Sequence, residues 1–272
     1  MKIKDKVALV LGAIKGIGKS IGLALAEEGA KVAFNYFDWE DSLVELQQDV
    51  AKTGQDHLLI KTDLLEREKI PELVKNVVDH FGRLDILINN IERGGWPVVH
   101  GPYVQEQWDL ELATTLGAKT WTFESALPYL KKSGDGVVIN LSSIAAIVGR
   151  SGPASYIFNE GYAAANRGVS LLTETWARMG APEVRVNEIM LGFFETRHGE
   201  KTRGWGLLTD AQKAAIRDHT LLLRSGTLAD VVKAVLFIIK DASFMTGSVL
   251  RLDGGYVLGG EKVPPMPKGV LP

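Results

Sequence analysis

The chain has 272 residues, 46% hydrophobic and 24% charged, the makeup of a globular protein with a sizeable buried core. Its formal net charge of −2, with Lys and Arg scattered along the sequence, leaves no basic face for nucleic acid. With no Cys there is no disulfide, no thiolate metal site and no Cys nucleophile.

No uncharged run approaches the ~20 residues of a bilayer span. The start, Met1-Lys-Ile-Lys-Asp-Lys6, lacks the apolar core of a signal peptide, so a soluble, cytoplasmic protein is expected. His57, His80, His100, His198 and His219 are dispersed without metal-ligand spacing, and no metal is expected.

The short apolar run Lys6–Leu11 predicts a buried strand. A helix is expected from Gly18 to a C-capping Gly29, followed by a strand over Lys31–Tyr36 and a helix from about Asp41 to Lys52. His57–Thr62 reads as the third strand and Pro71–Phe81 as the core of the next helix. Strands at Asp85–Asn89 and Gly136–Leu141 flank a long helix expected around Leu112–Lys131. A helix near Tyr162–Arg178, a strand over Val184–Ile189, a helix over Thr227–Ile239 and a strand over Ser248–Leu252 complete the series. Trp176 is most simply core. Such alternation predicts one α/β domain, about residues 1–260, on a Rossmann-type doubly wound parallel sheet. Residues from about 193 to 220 interrupt it, where a substrate lid could sit. The Pro-rich tail, 261–272, cannot form regular helix or central strand.

Gly12-Ala-Ile-Lys15-Gly16-Ile17-Gly18 joins the first strand to the first helix. Glycines there allow a tight turn and the close approach of a pyrophosphate to a helix N-terminus, whose N–H groups and dipole bind anions. The spacing Gly-x-x-x-Gly-x-Gly differs from the general Gly-x-G-x-x-Gly fingerprint. Further pieces fall at the carboxyl ends of later strands, where open α/β sheets bind ligands. They are Thr62-Asp63-Leu64, whose carboxylate could meet an adenine, then Asn89-Asn90, Ser142-Ser143 and Leu252-Asp-Gly-Gly255.

Together these motifs resemble the short-chain dehydrogenase/reductase family, in particular its β-ketoacyl-carrier-protein reductase type, from about Lys4 to Gly255. Leu223-Arg-Ser-Gly-Thr-Leu-Ala-Asp-Val-Val and Phe244-Met-Thr-Gly-Ser-Val-Leu extend the match. The resemblance implies a nicotinamide cofactor, a small-molecule substrate and a homotetramer or dimer. An NAD preference in that family goes with an Asp ending the second strand; here the position is Tyr36. Lys15 could pair with a 2′-phosphate, which favours NADP(H) over NAD(H), although by itself it reads as a solvated loop lysine.

The family's active site is an Asn, a Ser, a Tyr and a Lys. Ser143 matches the Ser. Tyr162-Ala-Ala-Ala-Asn166 matches the Tyr and, four residues on, the Lys position, which is here neutral. That four-residue step puts both side chains on one helical face, where an ammonium would lower the phenol's pKa. Asn166 could still hydrogen-bond a ribose hydroxyl. The relay Asn position is Thr115, counted back from Leu127-Pro128. Tyr156 stands thirteen residues after Ser143, nearer the family's spacing than Tyr162 at nineteen, and remains an alternative acid or substrate contact. Arg167 lies about 140° round the helix from Tyr162 and is no simple substitute for the Lys. The family's Asn-Asn-Ala-Gly is here Asn89-Asn90-Ile91-Glu92, and Glu92 with Arg93, followed by Gly94-Gly95-Trp96, could bring a charged pair into the pocket; a remodelled, solvated loop is the simpler reading. Arg197, His198, Lys201 and Arg203 could meet an anionic substrate, or be a solvated basic loop. Three functions stay open: an NADP(H)-dependent reductase, a nucleotide-binding member without turnover, and a lyase or isomerase using Glu92 or Tyr156.

Overall fold

Seven strands rich in Val, Ile and Leu build the centre of the computed structural model, which describes residues 1–91, 105–194, 196, 205–206, 208–261 and 263–265. They are Val7–Val10 (β1), Lys31–Tyr36 (β2), His57–Lys61 (β3), Ile86–Asn89 (β4), Gly136–Ser143 (β5), Val184–Leu191 (β6) and Val249–Leu252 (β7). The sheet order is β3-β2-β1-β4-β5-β6-β7 and every pairing is parallel. Every residue of β1, β4 and β5 is buried, as expected where both faces of a parallel sheet are covered.

The helices are Gly16–Glu27 (α1), Leu43–Lys52 (α2), Ile70–Phe81 (α3), Gln105–Glu111 (α4), Ala118–Ser133 (α5), Ala145–Val148 (α6), Glu160–Gly180 (α7), Asp210–His219 (α8) and Leu228–Lys240 (α9). One face of the sheet packs Ile21, Leu25, Val235 and Ile238 of α1 and α9 against Val10 and Ile139. The other packs Leu73, Phe123 and Trp176 of α3, α5 and α7 against Leu9, Leu87 and Val138. Trp176 is core as expected: its ring stacks on Phe123 with centroids 4.6 Å apart. The strand order reverses at β1, whose neighbours are β2 and β4, and this opens a crevice at the carboxyl edge.

The helix expected from Leu112 begins earlier. Helix α4 runs into a π-turn over Leu112–Gly117 and then into α5. Thr114 Oγ1 donates back to Leu110 O at 2.7 Å, a local bond that competes with regular helix pairing. Strands β5 and β6 outrun their expected ends because Ser142 and Ser143 keep pairing with Met190 and Leu191. Of the interrupting segment, α8 is a helix opened by a Thr209–Gln212 capping box. Arg197, His198, Lys201 and Arg203 lie outside the described residues, as do Glu92, Arg93 and the tail beyond 265. Among the described residues no helix is long and apolar enough to cross a membrane, and no group of side chains could hold a metal ion.

Candidate active site

The glycine loop lies where β1 delivers the chain to α1. Gly12 has φ +58, and a Cβ there would meet Asn90 O at 2.5 Å; a Cβ on Gly18 would collide with Gly12 O. Gly16, at φ +60, faces open space. Asn90 Nδ2 donates to Leu11 O and Gly12 O at 3.3 and 3.2 Å, tying the end of β4 to the loop. The N-cap of α1 is Lys15, which makes no side-chain capping bond, so the first-turn N–H groups are left for a ligand. A tight turn, open space at Gly16 and an uncapped helix start together fit a pyrophosphate.

The adjoining crevice holds the other candidate cofactor contacts. Tyr36 ends β2, half-buried. After β3, Asp63 Oδ1 accepts from Leu65 N–H at 3.0 Å and Leu64 is buried. The Lys15 ammonium lies 2.7 Å from the centroid of the Trp39 ring.

At the end of β5, Ser143 is 4% exposed, and its Oγ accepts from Ala145 N–H at 3.2 Å. Its hydroxyl hydrogen can therefore be given to a substrate oxygen. Asn159 caps α7 by accepting from Tyr162 N–H at 2.7 Å, which fixes the first turn that carries Tyr162. Ser143 and Tyr162 line one cleft with Ile17, Asn90, Phe158 and Phe193; it encloses about 610 Å³, open solvent included. Tyr156 belongs to the 3₁₀ turn Gly152–Tyr156 and is not among the residues lining that cleft. Of the two candidate tyrosines, the fold brings Tyr162 to the cleft that Ser143 lines.

Asn166 is fully buried, and its amide is engaged by backbone. Oδ1 accepts from Ser143 N–H at 3.0 Å, and Nδ2 donates to Tyr162 O at 2.9 Å. Like Tyr156, Asn166 is not among the described residues that line the cleft, where its expected ribose contact would fall. Thr115 is fully buried on the π-turn; its Oγ1 has no partner among the described residues, and it does not line the cleft.

Phe193, Phe194 and Trp205 read in the sequence as a partly hydrophobic pocket, and the first two line the cleft; three other residues, Phe158, Tyr256 and Glu188, escaped that reading. Phe158 stacks on Phe193, with centroids 5.4 Å apart and planes 4° apart, and lies 5.6 Å from the Tyr162 ring, giving the cleft an aromatic wall. The wall backs onto Tyr256, whose hydroxyl is pushed above the usual tyrosine range by burial. Behind Ser142, fully buried Glu188 accepts from Ser142 Oγ and, at 3.0 Å, from Ser170 Oγ. Burial pushes its carboxyl above the ordinary value, against the lowering effect of both serines and of Lys119 and Arg167. A Glu at a buried position of β6, Val184–Leu191, was the available signal.

A family model described as enoyl-(acyl carrier protein) reductase matches residues 12–257. The 3-oxoacyl-(acyl-carrier-protein) reductase of Thermotoga maritima is 33% identical over 95% of this chain and 100% of its own length. The corresponding Staphylococcus aureus reductase is 31% identical, over 93% and 98%. The chain belongs to the short-chain dehydrogenase/reductase family. A solved short-chain dehydrogenase/reductase of Serratia marcescens superposes with TM-score 0.81 at 26% identity, covering 94% of this chain and 100% of that one. Within the family this chain is ketoacyl-reductase-like, and its relatives place it with the oxidoreductases.

Proposed function

We propose that this family member is an NADP(H)-dependent oxidoreductase that reduces a carbonyl or related unsaturated small molecule. The carrying observation is that Ser143 and Tyr162 share one cleft with Ile17 of the glycine loop and with Asn90, which follows β4 and bonds to that loop. The loop of Gly12, Gly16 and Gly18 with the start of α1 would hold the pyrophosphate, flanked by Tyr36, Asp63 and Leu64. When bound, the cofactor supplies a hydride to the carbonyl carbon. The Ser143 hydroxyl orients the carbonyl oxygen, Tyr162 gives that oxygen its phenolic proton, and the tyrosinate left behind is reprotonated from solvent. Asn166 holds the Ser143 backbone and the first turn of α7 in place. Because residue 166 carries no charge, it supplies no ammonium to favour a phenolate on Tyr162, the help that alcohol oxidation needs most. The Phe158–Phe193 wall suits an apolar substrate. The family resemblance adds a homo-oligomer, tetramer or dimer, and a cytoplasmic setting.

The commitment of the Asn166 amide to backbone favours one second reading, a nucleotide-binding member without turnover. Fluorescence titration with NADPH and NADH, then turnover on ketones, enones and quinones, separates the two. Tight NADPH binding with carbonyl turnover that Tyr162→Phe lowers by about 10²–10⁴ and Tyr156→Phe spares is the expected result. Binding without turnover supports the second reading; no binding of either cofactor sinks both.

A further inference from the structure

We infer that Glu188 is a positioning residue: its buried carboxyl group clasps the strand that carries Ser143 to the helix that carries Tyr162. This deepens the reductase reading above and rests on it for the reaction served. Glu188 lies on β6, opposite Asn140 of β5, and is fully buried. One of its oxygens, Oε1, accepts from Ser142 Oγ of β5 and, at 3.0 Å, from Ser170 Oγ of α7. Ser142 adjoins Ser143, and Ser170 stands eight residues along α7 from Tyr162. A single acceptor thus ties together the elements that bring both members of the pair to the cleft.

The clasp is the middle rung of a polar ladder. Asn166, Ser170 and Thr173 stand at i, i+4 and i+7 on α7, a spacing that lines one face of a helix. Asn166 accepts from Ser143 N–H, and Thr173 Oγ1 accepts from Asn140 Nδ2 at 2.8 Å. Asn140 Oδ1 accepts in turn from Asn89 Nδ2 of β4, also at 2.8 Å. Between these rungs, Ser170 is joined to β5 through Glu188. Apolar packing holds a helix on a sheet without direction, whereas hydrogen bonds are directional and fix how far one slides on the other. A carboxyl group is costly to bury, and an apolar side chain of its size would serve stability as well, so its bonds serve placement. The cations that bear on it are Lys119 of α5 and Arg167 of α7. A misplacement of about 1 Å in a reacting pair can lower a rate by about 10²-fold, so the register of α7 on β5 matters to the chemistry.

Steady-state kinetics on a ketone that the wild type turns over, together with hydrogen exchange of the full chain read by mass spectrometry, test this. Glu188→Leu should lower kcat by about 10–100-fold and leave KM within about twofold of wild type, the mark of a loss confined to the transition state. Glu188→Gln keeps an acceptor for both serines and should recover most of that loss. Ser170→Ala, a milder change at a half-buried site, should lower kcat by about 2–10-fold and add nothing in the Glu188→Leu background. Exchange needs no substrate: Glu188→Leu should speed it at the end of β5 and in the first half of α7, while β1 and α1 keep wild-type rates. Acceleration spread equally over β1 and α1 overturns the inference, since Glu188 would then serve stability alone. Glu188→Gln as impaired as Glu188→Leu also overturns it, because the charge and not the bonds would be at work. So does a wild-type kcat in folded Glu188→Leu or, where that variant does not fold, in Ser170→Ala. A wild type that turns over no carbonyl overturns the reductase reading, and the exchange pattern then decides the clasp by itself.

Discussion

Asn166, four residues after Tyr162, has a structural role that its hydrogen bonds define. It is fully buried and joins two segments 23 positions apart, accepting from Ser143 N–H and donating to the Tyr162 carbonyl. Removing a partner inside the protein leaves the other group unsatisfied at about 1–3 kcal/mol. Asn166→Leu, close in volume, should therefore lower the melting temperature by roughly 2–12 °C and blur the placement of Ser143. Asn166→Lys sets two effects against each other. The ammonium favours a phenolate on Tyr162, so alcohol oxidation near neutral pH should rise; the backbone bond to Ser143 is lost, so stability should fall. Thermal melts together with the oxidation rate of both variants check this. A lysine variant that melts like the wild type would show that the Ser143 bond carries no weight.

The same economy operates between elements, where Arg185 of β6 ends α9. Its Nη1 donates to Ile238 O at 3.0 Å and Ala242 O at 2.9 Å, and its Nη2 to Ile239 O at 3.3 Å. A cation on the last carbonyls of a helix satisfies orphan acceptors and meets the negative end of the dipole. Burial lowers the guanidinium pKa, yet it remains far above neutrality. Hydrogen bonds to a charged group contribute about 1.5–3 kcal/mol, so Arg185→Leu should shift a urea midpoint down without changing its slope. Arg185→Lys should recover only part of the loss, because an ammonium cannot fork across several carbonyls. Elements of this kind were largely legible in the sequence: Val7–Val10 of β1, Ile86–Ile88 of β4 and Val137–Ile139 of β5 are apolar because both sheet faces are buried, and helices α3 and α9 carry their caps in plain view. Gly12 and Gly16, at φ +58 and +60, marked the tight turn between β1 and α1 for the same local reason. The π-turn at Leu112–Gly117, the Phe158–Phe193 wall and the Asn166–Ser143 bond were not legible, since each depends on contacts between distant segments that no local pattern encodes.

Over the whole molecule, the sheet and the helices on one of its faces meet at a single buried carboxylate. Glu188 on β6 is bonded to Ser142 on β5 and Ser170 on α7, and feels Lys119 from α5 and Arg167 from α7. Its Oε2 has no hydrogen-bond partner among the described residues. Burial is the largest influence and raises its pKa, so the native state keeps this proton to a higher pH than the unfolded chain does. Between the ordinary glutamate value of about 4.3 and the raised native value, the folded protein binds more protons, and stability must fall as pH rises. Stability from this group is complete below the unfolded pKa and is lost on passing through the folded one. Glu188→Gln keeps an acceptor for both serines and removes the titration. Melting temperatures measured across that window should decline with pH in the wild type and more shallowly in the variant, with each kcal/mol of difference appearing as roughly 2–4 °C. Parallel curves would mean that Lys119 and Arg167 already hold Glu188 ionised in the folded state, and that desolvation does not govern this site.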